Sequence, residues 1–192
     1  MRLSNRLWIA AAVLFISAAS VAPTKAQINS NTGTVTLNAT LSESLTVTVN
    51  SGSTVNFTLA PNTAANAGST TTGINTAWVL KPGRTAIALW AYFGSATAAL
   101  VHQTGGNTVD IPSAAVKIQV GGAGPFNALT AVSPFNAAAS GLQIGSSIAI
   151  TGANKNSSRV DTLAYQIDTT VVPQLPADTY VGTLNIQAQA TP

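Results

Sequence analysis

Few side chains of this sequence have the chemistry that catalysis requires. Cysteine is absent and His102 is the only histidine, which excludes thiol catalysis and a zinc site built on two histidines. His102 follows two apolar residues at the end of a predicted strand, where a structural or exposed position is the commoner role. We therefore predict no catalytic residue, no metal site and no cofactor, and a secreted hydrolase dependent on His102 is the least favoured class of function.

The acidic residues are also poorly placed for chemistry. Asp161 and Asp168 are the closest pair in the sequence, and on one strand this spacing puts them on opposite faces, over about 20 Å apart. Two carboxylates so arranged cannot act on one glycosidic bond. The acidic spacing does not match a calcium loop, although Asp110 or Asp178 could tie a loop through a single calcium ion. The sequence therefore predicts a protein that is not an enzyme.

An aromatic cluster admits two interpretations. Trp78, Trp90, Tyr92 and Phe93 lie close together in the sequence. The favoured interpretation places all four in a β-sandwich core, because the alanines beside them leave room for close packing. If instead Trp90 and Tyr92 lie on an open sheet face, they could stack on sugar rings. A glycan platform at Trp90 and Tyr92 is therefore the alternative.

The elements that position these side chains are strands, which are indicated by alternating apolar and polar residues. Val35, Leu37, Ala39 and Leu41 take every second place after Gly33, and this period predicts a half-buried strand. No amphipathic helix follows, and Lys81-Pro82-Gly83-Arg84 is typical of a turn that passes between sheets. About eight to ten short strands of this kind predict an all-β protein, an immunoglobulin-like β-sandwich. Further strands are predicted at 45–49, 55–59, 99–103, 114–120, 146–151, 163–167 and 180–190, and two more lie within 75–93 on either side of this turn.

The beginning of the sequence predicts export. Arg2 and Arg6 precede an apolar run from Leu7 to Ala19, and Thr24-Lys25-Ala26 offers a cleavage site. This layout is typical of a cleaved signal helix, and its apolar run is short for a membrane span. We expect residues 1–26 to be the signal peptide and residues 27–192 one domain. That domain would be secreted to the periplasm, the cell surface or the extracellular space, with no membrane span.

The charge of the predicted domain is balanced. The whole sequence carries a formal net charge of +3, but Arg2, Arg6 and Lys25 belong to the predicted signal. Without a basic surface, nucleic acid is not an expected partner. A surface near zero net charge favours association, so we expect self-association or binding to other surface subunits. The remaining charges, which cancel, are Lys81, Arg84, Lys117, Lys155 and Arg159 against Glu43, Asp110, Asp161, Asp168 and Asp178.

Both ends of the predicted domain resemble a known group of proteins. The stretch from Leu175 to Ile186, LPADTYVGTLNI, resembles the ending of secreted pilin-like domains, including spore-coat-protein-U-like and chaperone–usher fimbrial subunits. The stretch from Ala39 to Val47, ATLSESLTV, resembles their first strand. The chain also resembles uncharacterised secreted bacterial proteins. It departs from many pilin-like subunits because it has no cysteine and hence no disulfide.

The resemblance implies assembly by strand donation, in which an extended segment of one subunit fills a groove of the next. Residues 27–41 would be the donor strand, with Val35, Leu37, Ala39 and Leu41 as the groove-filling residues. The other interpretation makes the same segment the first strand of a self-contained sandwich. The expected function is that of a non-catalytic structural or adhesive surface protein, such as a fimbrial or coat subunit. A secreted carbohydrate-binding module, with polysaccharide as partner, is the alternative.

Overall fold

The computed structural model describes residues 28–129, 135 and 141–192. In this part of the chain the regular structure is β, apart from two single-turn 3-10 helices at Ser113–Ala115 and Thr169–Val171. None of these helices has the length and apolar character that a membrane crossing needs. The predicted signal helix, residues 1–26, lies outside the described residues.

The chain divides into two units, Met1–Thr40 and Leu41–Pro192. Within the first unit, residues 28–40 have no regular secondary structure and are exposed. The prediction of a half-buried strand over residues 35–41 is therefore wrong for the single chain, in which the first strand begins at Ser44. Alternation makes a segment suitable for a strand, but a strand also needs a neighbour with which to pair.

The second unit holds a large antiparallel sheet. Its strands are β1 (Ser44–Ser51), β2 (Asn66–Ala67), β3 (Thr72–Val79), β6 (Val116–Val120), β7 (Asn127–Ala128) and β9 (Asn156–Ile167). They lie in the order β1-β3-β9-β6-β7, and β2 pairs with the end of β9.

A second sheet and a short ribbon complete the unit. The three-stranded sheet has the order β11-β4-β8, with β4 (Ala86–Tyr92) at its centre. Its flanking strands are β8 (Leu142–Ala149) and β11 (Asn185–Thr191). The ribbon pairs β5 (Val101–His102) with β10 (Tyr180–Val181). The described residues thus contain eleven strands, four of which are only two residues long.

The core lies between the two sheets. Ile74, Ile118 and Leu163 of the large sheet pack with Leu89 and Ile144 of the three-stranded sheet, and each is at most 1% exposed. Because both sheets bury one face against the other, the unit is a β-sandwich, as the alternation predicted.

The turn at residues 81–84 links the two sheets, as predicted. It joins the end of β3 in the large sheet to the start of β4 in the three-stranded sheet. Gly83 has a φ of 98°, a conformation that favours glycine over residues with a Cβ.

Two predicted strands in this unit differ from the structure. The strand predicted over residues 180–190 is divided into β10 and β11, which pair with different strands. Residues 55–59 form no strand, and only Phe57 makes an isolated bridge, to Gly68. Val55, Phe57 and Leu59 are nevertheless half-buried and pack against the core. The alternation correctly predicted which side chains face inward, but this stretch lacks a neighbouring strand along most of its length.

One of the two sheets follows the strand order of an immunoglobulin-like sandwich, which has A-B-E-D in one sheet and C-F-G in the other. β1-β3-β9-β6 follows the first order. The three-stranded sheet differs, because β4 is its central strand and β11 and β8 are its edges. No described strand pairs with the outer edge of β11.

Candidate functional site

An open apolar groove lies on one side of the sandwich. The groove has a volume of about 930 Å³ and is lined mainly by two stretches, residues 49–61 and residues 172–186. Phe93, Tyr165 and Ile167, which belong to the core cluster, also line it. These three side chains are at most 8% exposed, so the core forms the floor of the groove.

A second, smaller cavity lies at the other end of β11. It has a volume of about 330 Å³ and is lined by Leu45 and Leu80 on one side and by Ala188 and Ala190 on the other. The large groove reaches β1 and β11, which are edge strands of the two sheets, only at Val49 and Ile186. The two cavities are therefore separate openings near the two ends of β11.

Inward-facing residues beside the groove are incompletely buried. Leu45 and Val47 of β1 and Ile186 of β11 pack against the core but are only partly covered. Val49, which lines the groove, remains 43% exposed. By contrast, Ile74 of the central strand β3 is fully buried. An extended segment in the groove would cover these residues and remove more apolar surface from water.

The two edges of the three-stranded sheet differ. β8 is irregular, because its pairing with β4 shifts register and Gly145 has a φ of 65°. Arg159 donates hydrogen bonds to the carbonyl oxygens of Ser146 and Ile144 in β8, at 2.7 and 3.3 Å. β11 pairs with β4 in unbroken register. A charged side chain also reaches β11, since Nη1 of Arg84 donates to the carbonyl oxygen of Ala190 at 3.3 Å. Bulges protect an edge from pairing, so β11 is the more regular edge, and residues 185–189 are the part of it suited to a further strand.

The predicted donor residues are accessible. Val35, Leu37 and Leu41 are 83%, 88% and 80% exposed, and Ala39 is exposed as well. Three large apolar side chains at alternate positions of an unpaired segment are unfavourable in water unless they find a partner. Val35 to Leu41 spans about 20 Å when extended, which is the length of β11 from Asn185 to Thr191.

A hydrogen-bond cluster fixes one lining stretch of the groove. Asp178 accepts hydrogen bonds from the hydroxyl of Thr104 at 2.6 Å, from the Nδ2 of Asn107 at 2.8 Å and from the backbone N–H of Thr179 at 2.6 Å. The hydrogen bond from the Thr104 hydroxyl, followed by that from Asn107, holds the pKa of Asp178 well below its usual range. Tyr180 also belongs to this cluster, because its hydroxyl accepts from Asn107 and donates to the carbonyl of Pro176.

The other candidate polar residues form separate pairs. The Nδ1 of His102 lies 2.7 Å from a carboxylate oxygen of Asp110. The hydrogen bonds that His102 provides, first from its backbone N–H and then from its side chain, lower the pKa of Asp110. Asp161 pairs with Arg159 at 2.8 Å and Asp168 with Lys117 at 2.7 Å, so the two aspartates do not act together. Among the described residues, no group of three or more acidic or histidine side chains could hold a metal ion.

The aromatic cluster is divided between the core and the surface. Trp78 and Phe93 are 4% and 5% exposed, and the indole N–H of Trp78 donates to the carbonyl of Asn154 at 2.7 Å. Trp90 and Tyr92 alternate with the buried Leu89 and are themselves partly exposed on the outer face of β4. The favoured prediction that all four pack in the core is therefore wrong for Trp90 and Tyr92. Along a strand, alternate side chains face opposite sides.

Comparison of the chain with protein-family models, with curated proteins and with solved structures finds no significant match.

The groove could not be located from the sequence, since its lining stretches are far apart in the chain. Asp178 and Thr104 are separated by 74 residues, and no sequence motif joins them.

Proposed function

We propose that the chain is an exported, non-catalytic structural subunit, of fimbrial or coat type, which assembles by strand donation. The donor is the segment of residues 27–41, and the acceptor is the groove beside β11 of a second copy. The observation that supports this most directly is that the chain has both an open apolar groove and an exposed segment of alternating apolar residues. Backbone pairing to the outer edge of β11 would supply affinity, and the alternate apolar side chains would fill the groove.

The sequence between donor and sandwich favours exchange between copies. To fill the groove of its own subunit, the segment would have to reverse direction between Leu41 and Ser44. Only Ser42 and Glu43 lie between them, and tight reversals favour glycine, asparagine or aspartate. Glu43 is also held by Arg84, at 2.8 Å between Oε1 and Nε. A second copy can be reached without this reversal.

The first experiment compares donor variants of the chain 27–192 by size-exclusion chromatography with light scattering. Wild type should form polymers, and Leu37→Asp should be a folded monomer because it places a charge in an apolar groove. Thr36→Asp is the matched control. It changes the adjacent residue, whose side chain faces away from the groove in an extended segment, and should still polymerise. Polymers of Leu37→Asp equal to those of Thr36→Asp would contradict the proposal, and so would a wild-type monomer.

The second experiment tests the acceptor. Val49→Asp should block the groove and give monomers. Val160→Asp, at a position 65% exposed on β9 and outside the groove lining, should assemble normally. Mixing Leu37→Asp with Val49→Asp should give a one-to-one dimer and nothing longer, because only one intact donor and one intact groove remain. Circular dichroism must show both variants folded, and a mixture that stays monomeric would contradict the proposal.

A further inference from the structure

The outer face of the three-stranded sheet is not used by strand donation and carries its own arrangement of side chains. Trp90 and Tyr92 stand at alternate positions of β4, the central strand, and are partly exposed. The β-strand rise places their Cα atoms about 7 Å apart. Both rings therefore lie on one face, next to each other along the strand.

Amide side chains flank the two rings. In the sheet register, Trp90 lies opposite Gln187 of β11 and Gln143 of β8, and Tyr92 lies opposite Asn185. The hydroxyl of Tyr92 donates to Oε1 of Gln187 at 3.3 Å, which leaves the amide NH₂ of Gln187 as a donor. The amide of Gln143 donates to the hydroxyl of Ser147 at 3.0 Å, which leaves its oxygen as an acceptor and its second N–H as a donor. Together the amides offer donors and acceptors, which is the pattern needed to bind hydroxyl groups.

The described part of this face carries no charge. The side chains that alternate with the buried residues of β4, β8 and β11 are aromatic, amide, hydroxyl or alanine. Ala88, beside Trp90 on the same face, leaves space next to the indole ring. A surface with partly exposed rings, flanking amides and no charge fits a neutral ligand that has both flat apolar faces and hydroxyl groups.

We propose that this face binds a neutral, extended polysaccharide. Trp90 and Tyr92 would stack on the faces of sugar rings in successive positions along the chain. Gln143, Gln187 and Asn185 would hydrogen-bond the equatorial hydroxyl groups, which project from the edges of those rings. This proposal goes beyond the assembly function and does not depend on it, because the face lies on the opposite side of the sheet from the core.

The test measures retention of the chain 27–192 on insoluble cellulose and chitin, with soluble xylan and dextran as competitors. The assembly-deficient Leu37→Asp variant is measured in parallel, so that a failure of strand donation does not affect the result. Retention is expected on at least one β-linked polymer, and it should be the same in low and high salt because the face is uncharged. Absence of retention on cellulose and chitin, together with no binding of xylan, would overturn the proposal.

Substitutions test whether polysaccharide binds at the outer face of the three-stranded sheet. Trp90→Ala should weaken binding at least about tenfold, the change expected for loss of one aromatic contact. Val160→Ala, an exposed apolar change in the other sheet, should leave binding unchanged. The fluorescence of Trp90 should change with soluble ligand, and Trp90→Phe should abolish that change, since Trp78 is buried. Undiminished retention of Trp90→Ala would overturn the proposal, and an altered oligomer mass instead would identify the face as a protein interface.

Discussion

At the scale of single residues, Asp178 links pH to stability. Hydrogen bonds from the side chains of Thr104 and Asn107 favour the charged carboxylate, which lowers its pKa in the folded protein. A lowered pKa contributes stability that is present above the unfolded value, about 4, and is lost as the pH falls below it. We expect Asp178→Asn to lower the unfolding temperature at pH 7, and the difference from wild type to shrink as the pH falls below about 4.

Calorimetry at several pH values measures this difference. Thr104→Val, which removes the hydroxyl that donates to Asp178 at 2.6 Å, should act in the same direction. Thr108→Val is the matched control in the same loop, at an exposed position outside the cluster, and should have little effect. A difference between Asp178→Asn and wild type that stays constant with pH would show that the carboxylate charge does not stabilise the fold.

At the scale of elements, the corner between β3 and β4 depends on one glycine. Gly83 has a φ of 98° and its added Cβ would meet no atom within 4 Å, so substitution tests conformation alone. We expect Gly83→Ala to lower the free energy of unfolding by about 1–2 kcal/mol. Gly94→Ala, which also has open space but no positive φ, should change it by less than about 0.5 kcal/mol. Urea unfolding measures both, and equal effects would show that the positive φ carries no cost.

At the scale of the whole molecule, the open groove should make stability depend on its occupant. A peptide of residues 27–41 added to the domain 42–192 should raise the unfolding temperature in proportion to the logarithm of its concentration. At a peptide concentration one hundred times the dissociation constant, the free energy of unfolding would rise by about 2.7 kcal/mol. The same peptide with Leu37→Asp should have no effect, whereas one with Thr36→Asp should act like the native peptide. If neither the native nor the Thr36→Asp peptide raises this temperature, the groove does not bind the segment.

Features that depend on residues close together in the chain could be predicted from the sequence, and features that depend on distant residues could not. Alternation correctly predicted the sandwich and the inward-facing side chains, and the proline–glycine pair correctly predicted the corner at Gly83, because these depend on neighbours in the chain. The groove depends on which strand lies beside β11, and the cluster around Asp178 joins residues 74 apart. The segment 35–41 shows the same limit, since its pattern suits a strand but pairing is decided by distant residues.

The two-residue link of Ser42 and Glu43 has a mechanical consequence. If residues 27–41 are seated in a neighbouring subunit, the distance from Leu41 to Ser44 is at most about 11 Å. The ion pair between Glu43 and Arg84 removes further freedom from this link. Successive subunits would then touch, so a fibre of this protein would resist bending and behave as a rod. Tension along it would shear each donor strand against β11, which loads many backbone hydrogen bonds at once.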